Sequence, residues 1–372
     1  MHFTADKNTF LLQLKKSFAI VKKSDVNPIY ENILIECNND DVCLYTLNEI
    51  IAIKSIVNKG VKIESTGKCM LNAQIFYKII DKLSDNTFSF ETIDDNMVKI
   101  TSGSFVANIN LFSYEEINIF DFETSEFNNT ISGVFLKEIN DKLLKIIPAS
   151  KILETSPFRG VLLDTSRTEN LIEAVATDSY HLGCISQKFS GDKFRIIVNS
   201  EIIKILHTQN TNSEDLLISL KNNRLLVKIA DTLYNCSLIE GAYPNTNKII
   251  EAQYQFNFVV NRSIFINAID KAIALSDDSS STPIVNLTVL DHLLNIVGHN
   301  VEKGSSNEDI DVTSNIDSKI KILLNASNLL SLIKNIDTEN VLFKLNGSFS
   351  PVIINNENNS NYISLILPIR RS

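Results

Sequence analysis

The sequence predicts an α+β protein in which one unit, two helices packed on antiparallel sheet, is repeated three times. Three observations carry that prediction. A strand-to-helix junction recurs as LNAQIFYKIIDKL from Leu71, VNSEIIKILHTQN from Val198 and LNASNLLSLIKNI from Leu324. Its asparagines stand at positions 72, 199 and 325, intervals of 127 and 126 residues. In each copy an apolar strand end meets Asn, a good helix N-cap, and an apolar helix follows. An earlier helical pattern also repeats, near Asp6 to Lys22, Ser132 to Ile147 and Asn261 to Leu275. Each of these is followed by two strand patterns: ENILIECNNDDVCLYTL, GVLLDTSRTENLIEAVAT and IVNLTVLDHLLNIVG.

In the first unit, Phe10, Leu11, Leu14, Phe18 and Val21 fall on one stripe at helical spacing, which should bury against sheet. Lys15, Lys16, Lys22 and Lys23 project elsewhere, and in the next helix Lys78 and Lys82 are one turn apart and share a face. The polar stretch FETSEFNN closes this unit, giving a first domain of residues 1–126. In the second unit, residues 130–250, Val161 to Leu163 form a strand, Ser166 to Asn170 turn the chain and Leu171 to Ala176 return it. Thr177, Asp178 and Ser179 then reverse the chain, which puts Tyr180, His181 and Leu182 on one exposed corner. This unit carries Lys137, Lys142, Lys145 and Lys204. The third, residues 254–372, carries Arg262, Lys271 and Lys334. Polar runs at Ser276 to Thr282 and Asn355 to Asn361 are expected to be solvated loops.

Composition bounds the function. A chain of 372 residues with 44% hydrophobic content can build several cores. Its apolar runs are all shorter than a membrane span requires, and MHFTADKNTF has no secretory pattern, so the expected location is the cytoplasm. Five cysteines without CxxC spacing read as unpaired thiols rather than as a disulfide frame or zinc site. The net charge of −9 argues against a simple basic nucleic-acid binder. Yet the lysines named above collect on the predicted helices, while Asp40, Asp41, Asp94, Asp95, Glu154 and Asp231 collect in strand turns. An acidic chain can hold DNA when its positive charge is confined to one surface. With no base-reading motif, such binding would be to phosphates and independent of sequence. The chain carries no GxGxxG, GxxxxGK[ST], HExxH or GxSxG, and its five histidines are scattered. A hydrolytic cluster of Thr177, Asp178 and His181 would lack an orienting third group.

The strings that remain point to a family. AVATDSYHL, following the strand at Gly160, resembles the ATDGHRLA region of the bacterial DNA polymerase III beta sliding clamps. The ending LILPIR is similar to that family's MPMR tail, and Glu240 to Pro244 (EGAYP) to its DGxFP turn. The three matches are in order, with comparable spacing and total length, and the resemblance covers essentially the whole chain. The resemblance implies three clamp domains per chain and a ring made of a head-to-tail homodimer around double-stranded DNA. It implies no catalysis, cofactor or metal. Implied partners are the DNA polymerase III catalytic subunit, the clamp loader and other proteins bearing a clamp-binding motif. The basic residues on the helices would then face DNA. A partner-peptide pocket is implied at Phe158, Thr177, Ser179, Tyr180, His181 and Leu182, at Pro244, Lys248 and Ile249, and at Asn325 and Asn328. Pro351, Val352, Leu365, Leu367, Pro368, Ile369 and Arg370 complete it. The implied dimer interface sets Phe105, Ala107, Ile109 and Leu111 against Ala274 and Leu275. Two departures stand out. Ser179-Tyr180-His181 replaces Gly-His-Arg, which suggests a slightly different turn, and Thr46-Leu47-Asn48-Glu49 replaces TDLE. Without the resemblance, a three-unit peptide-binding adaptor that never encircles DNA remains an alternative.

Overall fold

Local hydrogen bonds start the helices where the caps predict. The computed structural model describes all residues except 25–26, 95, 114–121, 123–125, 149–155, 275–282, 301–302, 358–360 and 371–372. Helix α1 (Lys7–Phe18) begins with the Asp6 carboxylate accepting from the Thr9 amide at 2.8 Å. In α2 (Ala73–Lys82) Asn72 accepts from the Ile75 amide at 3.0 Å. Helix α3 (Gly133–Glu138) is started by the Ser132 hydroxyl and runs on as a π-helical turn, Ile139–Leu143. Helix α4 (Ser200–Gln209) follows Asn199 directly, and α5 (Asn247–Ile250) is a single turn. Asn261 caps α6 (Arg262–Ile273) and Asn325 caps α7 (Ala326–Lys334).

All three expected strand pairs form: Asn32–Cys37 with Val42–Leu47, Gly160–Asp164 with Leu171–Thr177, and Ile284–Leu290 with Leu293–Asn300. Each repeat therefore reads strand, helix, three strands, then strand, helix, three strands. The first copy adds Val61–Ser65 and the third adds Thr313–Ser314.

The chain folds into two compact units, residues 1–136 with 201–238, and residues 137–200 with 239–372. The first holds a five-stranded sheet, ordered 61–65, 2–6, 87–94, 97–102, 105–110. It also holds an eight-stranded sheet, ordered 129–131, 216–221, 224–229, 232–237, 51–57, 42–47, 32–37, 67–72. The eight-stranded sheet is a weld: its second repeat's strand Thr232–Ser237 pairs antiparallel with the first repeat's Ile51–Val57, Tyr234 opposite Ile53. Phe3, Phe10, Phe76, Phe88 and Phe90 make the core beside it, with Phe3 stacked on Phe90 at 5.0 Å. Each such buried ring contributes about 1.5–3 kcal/mol, and Phe90→Ala would cost about 3–5 kcal/mol with its cavity. The predicted α1 stripe faces this core: Phe10 and Leu14 are buried, while Leu11, Phe18 and Val21 pack at its margin.

The second unit repeats the device. A nine-stranded sheet runs 195–199, 160–164, 171–177, 181–188, 362–366, 352–356, 340–345, 256–261, 313–314. Its weld pairs His181–Lys188 with the C-terminal strand Tyr362–Ile366, Leu182 opposite Leu365. The buried Asn335 amide locks this weld, donating to the Lys142 carbonyl (3.0 Å) and to the Tyr362 hydroxyl (3.4 Å). A four-stranded sheet runs 304–311, 293–300, 284–290, 320–325. The strands that correspond to the welding ones, Phe105–Asn110 in the first repeat and Gly304–Asp311 in the third, each have one neighbour only among the described residues. Among the described residues there are thus two complete welds and two unmatched halves.

Candidate functional site

The corner after Leu171–Thr177 is built by side chains that take over backbone hydrogen bonds. Asp178 Oδ1 accepts from the amides of Tyr180 and His181, each at 2.8 Å, and from His181 Nδ1 at 2.8 Å. The Thr177 hydroxyl donates to the His181 carbonyl and accepts from the Ser179 amide. Burial pushes the Asp178 carboxyl up, but the His181 ring, the His181 amide and the Tyr180 amide outweigh it and hold it below the usual 3.8. Ser179 has φ +77°, the left-handed region that glycine favours. The Asp178 and Thr177 bonds on either side hold serine in this left-handed conformation. In the first repeat Asn48 does the same work one residue further on, its Oδ1 accepting from Ile50 and Ile51 at 3.0 Å.

The exposed corner expected from sequence is one residue wide. Tyr180 is 70% exposed, whereas His181 and Leu182 are buried at 6% and 3%. The reason is the weld: both already belong to the strand that pairs with Ile366 and Leu365. That pairing brings the tail to the corner. The Leu367 amide donates to the Tyr180 carbonyl at 2.9 Å, and the Ile369 amide to the Leu323 carbonyl at 2.8 Å. Val352 lies opposite Ile366, and Asn328 approaches His181 Nδ1 at 3.5 Å while its amide is taken by Asn325. Leu182, Leu365 and Val352 are thus sheet core. Leu367, Pro368, Ile369, Pro244, Ile249 and Pro351 stay half-buried, and Lys248 and Arg370 are exposed. Ile249 and Leu367 pack on one apolar cluster with Leu162, Val175, Leu182, Tyr243 and Leu365. The Tyr243 hydroxyl donates to the Val175 carbonyl at 3.0 Å and pins the turn that ends in Pro244. Phe158, half-buried, lies on the short Pro157–Arg159 turn that enters Gly160–Asp164. Phe349, two residues before Pro351 and 63% exposed, escaped sequence reading because a lone aromatic in a polar loop carries no periodic signal.

The basic residues divide by partner. Among the described residues, Lys15, Lys22, Lys23, Lys78, Lys82, Lys204 and Lys334 are exposed and have no carboxylate within 4.0 Å. Lys22 and Lys204 border one groove of about 310 Å³ between the end of α1 and α4. Lys137 pairs with Asp141, Lys142 with Glu138 and Asp337, and Lys271 with Glu308. Arg262 donates to the last carbonyls of α7, at Ile333 and Lys334, and Lys145 to Asn335. Lys16 reaches the Thr232 hydroxyl at 3.3 Å, and burial lowers its pKa against the pull of Glu214 and Asp231. At the expected interface Phe105 is exposed and Ala107 half-exposed, while Ile109 and Leu111 turn into or against the core. Ala274 ends α6 and is exposed; Leu275, like Asp95 and Glu154, lies outside the described residues. All five cysteines are free and buried, and burial pushes the thiols of Cys43, Cys69 and Cys184 up to about 12. Such thiols are poor nucleophiles.

Repeated strand-helix units welded by shared sheets, with unpaired lysines on helices and an apolar corner at the C-terminus, define a scaffold of the DNA-clamp class. Family models of the DNA polymerase III beta subunit match residues 1–121 (N-terminal domain) and 247–370 (C-terminal domain), together about two thirds of the chain. A beta sliding clamp of Staphylococcus aureus is 25% identical, and one of Streptococcus pneumoniae 24%, each covering 100% of this chain and 99% of the relative. Structures of the DNA polymerase sliding clamp from Bacillus subtilis (TM-score 0.90, 22% identity) and of the beta subunit from DNA polymerase of Streptococcus pyogenes (0.89, 22%) match over 100% of both chains. The chain belongs to the DNA polymerase III beta subunit family, the beta sliding clamps, which are non-catalytic processivity factors.

Proposed function

We propose that two of these chains close head to tail into a ring, that duplex DNA threads the ring, and that the corner-and-tail surface docks partner proteins. The unmatched welds carry this reading. Inside the chain, the third strand of one repeat's first half joins the last strand of another repeat's second half, twice. Strands 304–311 and 105–110 are the two halves of a third such joint, and pairing them between chains leaves no half unmatched. This is a heterologous contact that repeats to closure. Their chemistry suits it. Strand 304–311 (GSSNEDID) carries Glu308, Asp309 and Asp311, and strand 105–110 (FVANIN) carries no acid to oppose them.

The repeats are residues 1–126, 130–250 and 254–372, and the chain works in the cytoplasm. The unpaired lysines provide diffuse phosphate contacts, weak enough one by one to permit sliding. The partners are the DNA polymerase III catalytic subunit, the clamp loader and other proteins that present an extended peptide bearing a leucine and an aromatic residue. Leu367, Ile369 and Ile249 offer apolar surface to those side chains, with Phe349 as a further exposed aromatic.

Sedimentation tests closure: the wild-type chain is expected at twice its 41.7 kDa mass. Val106→Asp, at a position 53% exposed on the edge strand, adds an acid facing an acidic strand and is expected to give a folded monomer, whereas Val106→Lys keeps the dimer. A Val106→Asp dimer as tight as wild type would move the interface elsewhere. Loaded protein should remain on closed circular DNA in salt that screens phosphate contacts and leave when the circle is cut. Equal retention on linear DNA would replace encirclement with a binding groove.

A further inference from the structure

We infer that Arg167 and Glu251 form a clamp that sets the position of the Ile249 wall, making both positioning residues for partner binding. This rests on the docking reading above. Ile249 lies on α5, a single turn with no buried residue, and among the described residues Thr246 gives it no side-chain cap. Such a turn is marginal by itself. The amides of Ile249 and Ile250 donate to the Thr246 carbonyl and that of Glu251 to Asn247, and the Tyr254 hydroxyl donates to the Ile249 carbonyl at 2.8 Å. Ile249 and Ile250 pack on the apolar cluster of Leu162, Val175 and Leu182, and a polar long-range tie comes at Glu251, the next residue after α5. Arg167 Nε and Nη2 converge on Glu251 Oε1 at 3.2 and 2.9 Å. Nη1 of the same guanidinium donates to Glu173 Oε2 at 2.8 Å.

Glu173 is buried on the strand that runs into the Thr177 corner. Arg167 therefore has one arm anchored in the sheet beneath the corner and the other on the turn that carries Ile249. The two arms differ in environment. The Arg167 and Glu173 side chains are 11% and 10% exposed, so that arm is rigid and shielded. Glu251 is 63% exposed, so its arm is open to salt and can be removed without uncovering a buried charge. Neither residue belongs to the motifs that carry the family resemblance.

The test uses the full-length protein and isothermal titration with an extended peptide of one leucine, one phenylalanine and otherwise uncharged polar residues. Glu251→Gln is expected to weaken binding about fivefold, the bias that a partly exposed ion pair can place on a local equilibrium. It should also speed hydrogen exchange at the amides of 247–251. Raising salt should weaken the wild type toward the Glu251→Gln value and leave the variant unchanged. If Glu251 acts through Ile249, then Glu251→Gln should have no further effect in an Ile249→Ala background. Independent, multiplying effects would overturn the positioning role, as would unchanged affinity of Glu251→Gln when Ile249→Ala weakens binding. Unchanged affinity of Ile249→Ala itself would sink the docking assignment, and the clamp's role with it.

Discussion

Replacing Ser179 by glycine should stabilise the protein, although it deletes a side chain. At φ +77° the Cβ of an L-residue crowds the following carbonyl, a cost of about 1–2 kcal/mol. Glycine removes that cost but returns about 0.5–1 kcal/mol through the greater freedom of its unfolded backbone. The Ser179 side chain is exposed and its hydroxyl makes no hydrogen bond to a described residue, so little else is lost. The balance is a gain of about 0.5–1 kcal/mol, read as a rise of about 1 °C in the thermal midpoint. Ser179→Ala is the control: it keeps the Cβ and the strain, and should leave the midpoint unchanged. The reasoning fails if glycine lowers the midpoint, or if alanine raises it equally. Peptide affinity measured on the same samples shows whether serine's strain helps to present Tyr180; tighter binding by the glycine variant would show that it does not.

Three further outcomes follow from the same site. The Asp178 carboxyl is held below its ordinary value, so the stability it contributes is present above about pH 4 and is lost as pH falls through the lower folded pKa. Asp178→Asn should therefore cost about 1 kcal/mol at pH 5 and progressively less toward pH 2.5; a deficit that grows on acidification would reverse the sign. Deleting residues 369–372 removes the Ile369 wall and one backbone bond to Leu323 but leaves the weld of Tyr362–Ile366 intact. Peptide binding should weaken at least tenfold, by about 1.4 kcal/mol or more, while circular dichroism still reports a cooperative fold; unchanged affinity would refute the tail's role. Asn335→Leu strips the bond to the Lys142 carbonyl from a buried hub and should cost about 1–3 kcal/mol in urea unfolding. A neutral result would show that the weld does not need it.

The elements that were legible in the sequence are those made by neighbours in the chain. Asp6, Asn72, Asn261 and Asn325 start helices through hydrogen bonds that reach two or three residues ahead, so the junctions that marked the repeat are local in sequence. The same holds for the hairpins, whose turns lie between their own strands. The family strings located the corner and the tail, and the repeat could have pointed to strand 304–311 as the counterpart of 51–57 and 181–188.

What only the tertiary structure decided is which strand edges meet. No local preference tells Ile51–Val57 that its partner is Thr232–Ser237, because backbone edges are chemically alike and the choice follows from which edges the folded repeats leave open. That choice buried His181 and Leu182 and left Tyr180 exposed. It also turned Leu365 and Val352 from candidate groove lining into core. It joined Arg167 to Glu251 across 84 residues of sequence. Periodicity records which face of an element is apolar. It cannot record which distant element arrives to cover that face, and both the proposed docking surface and the welds within the chain are made by such arrivals.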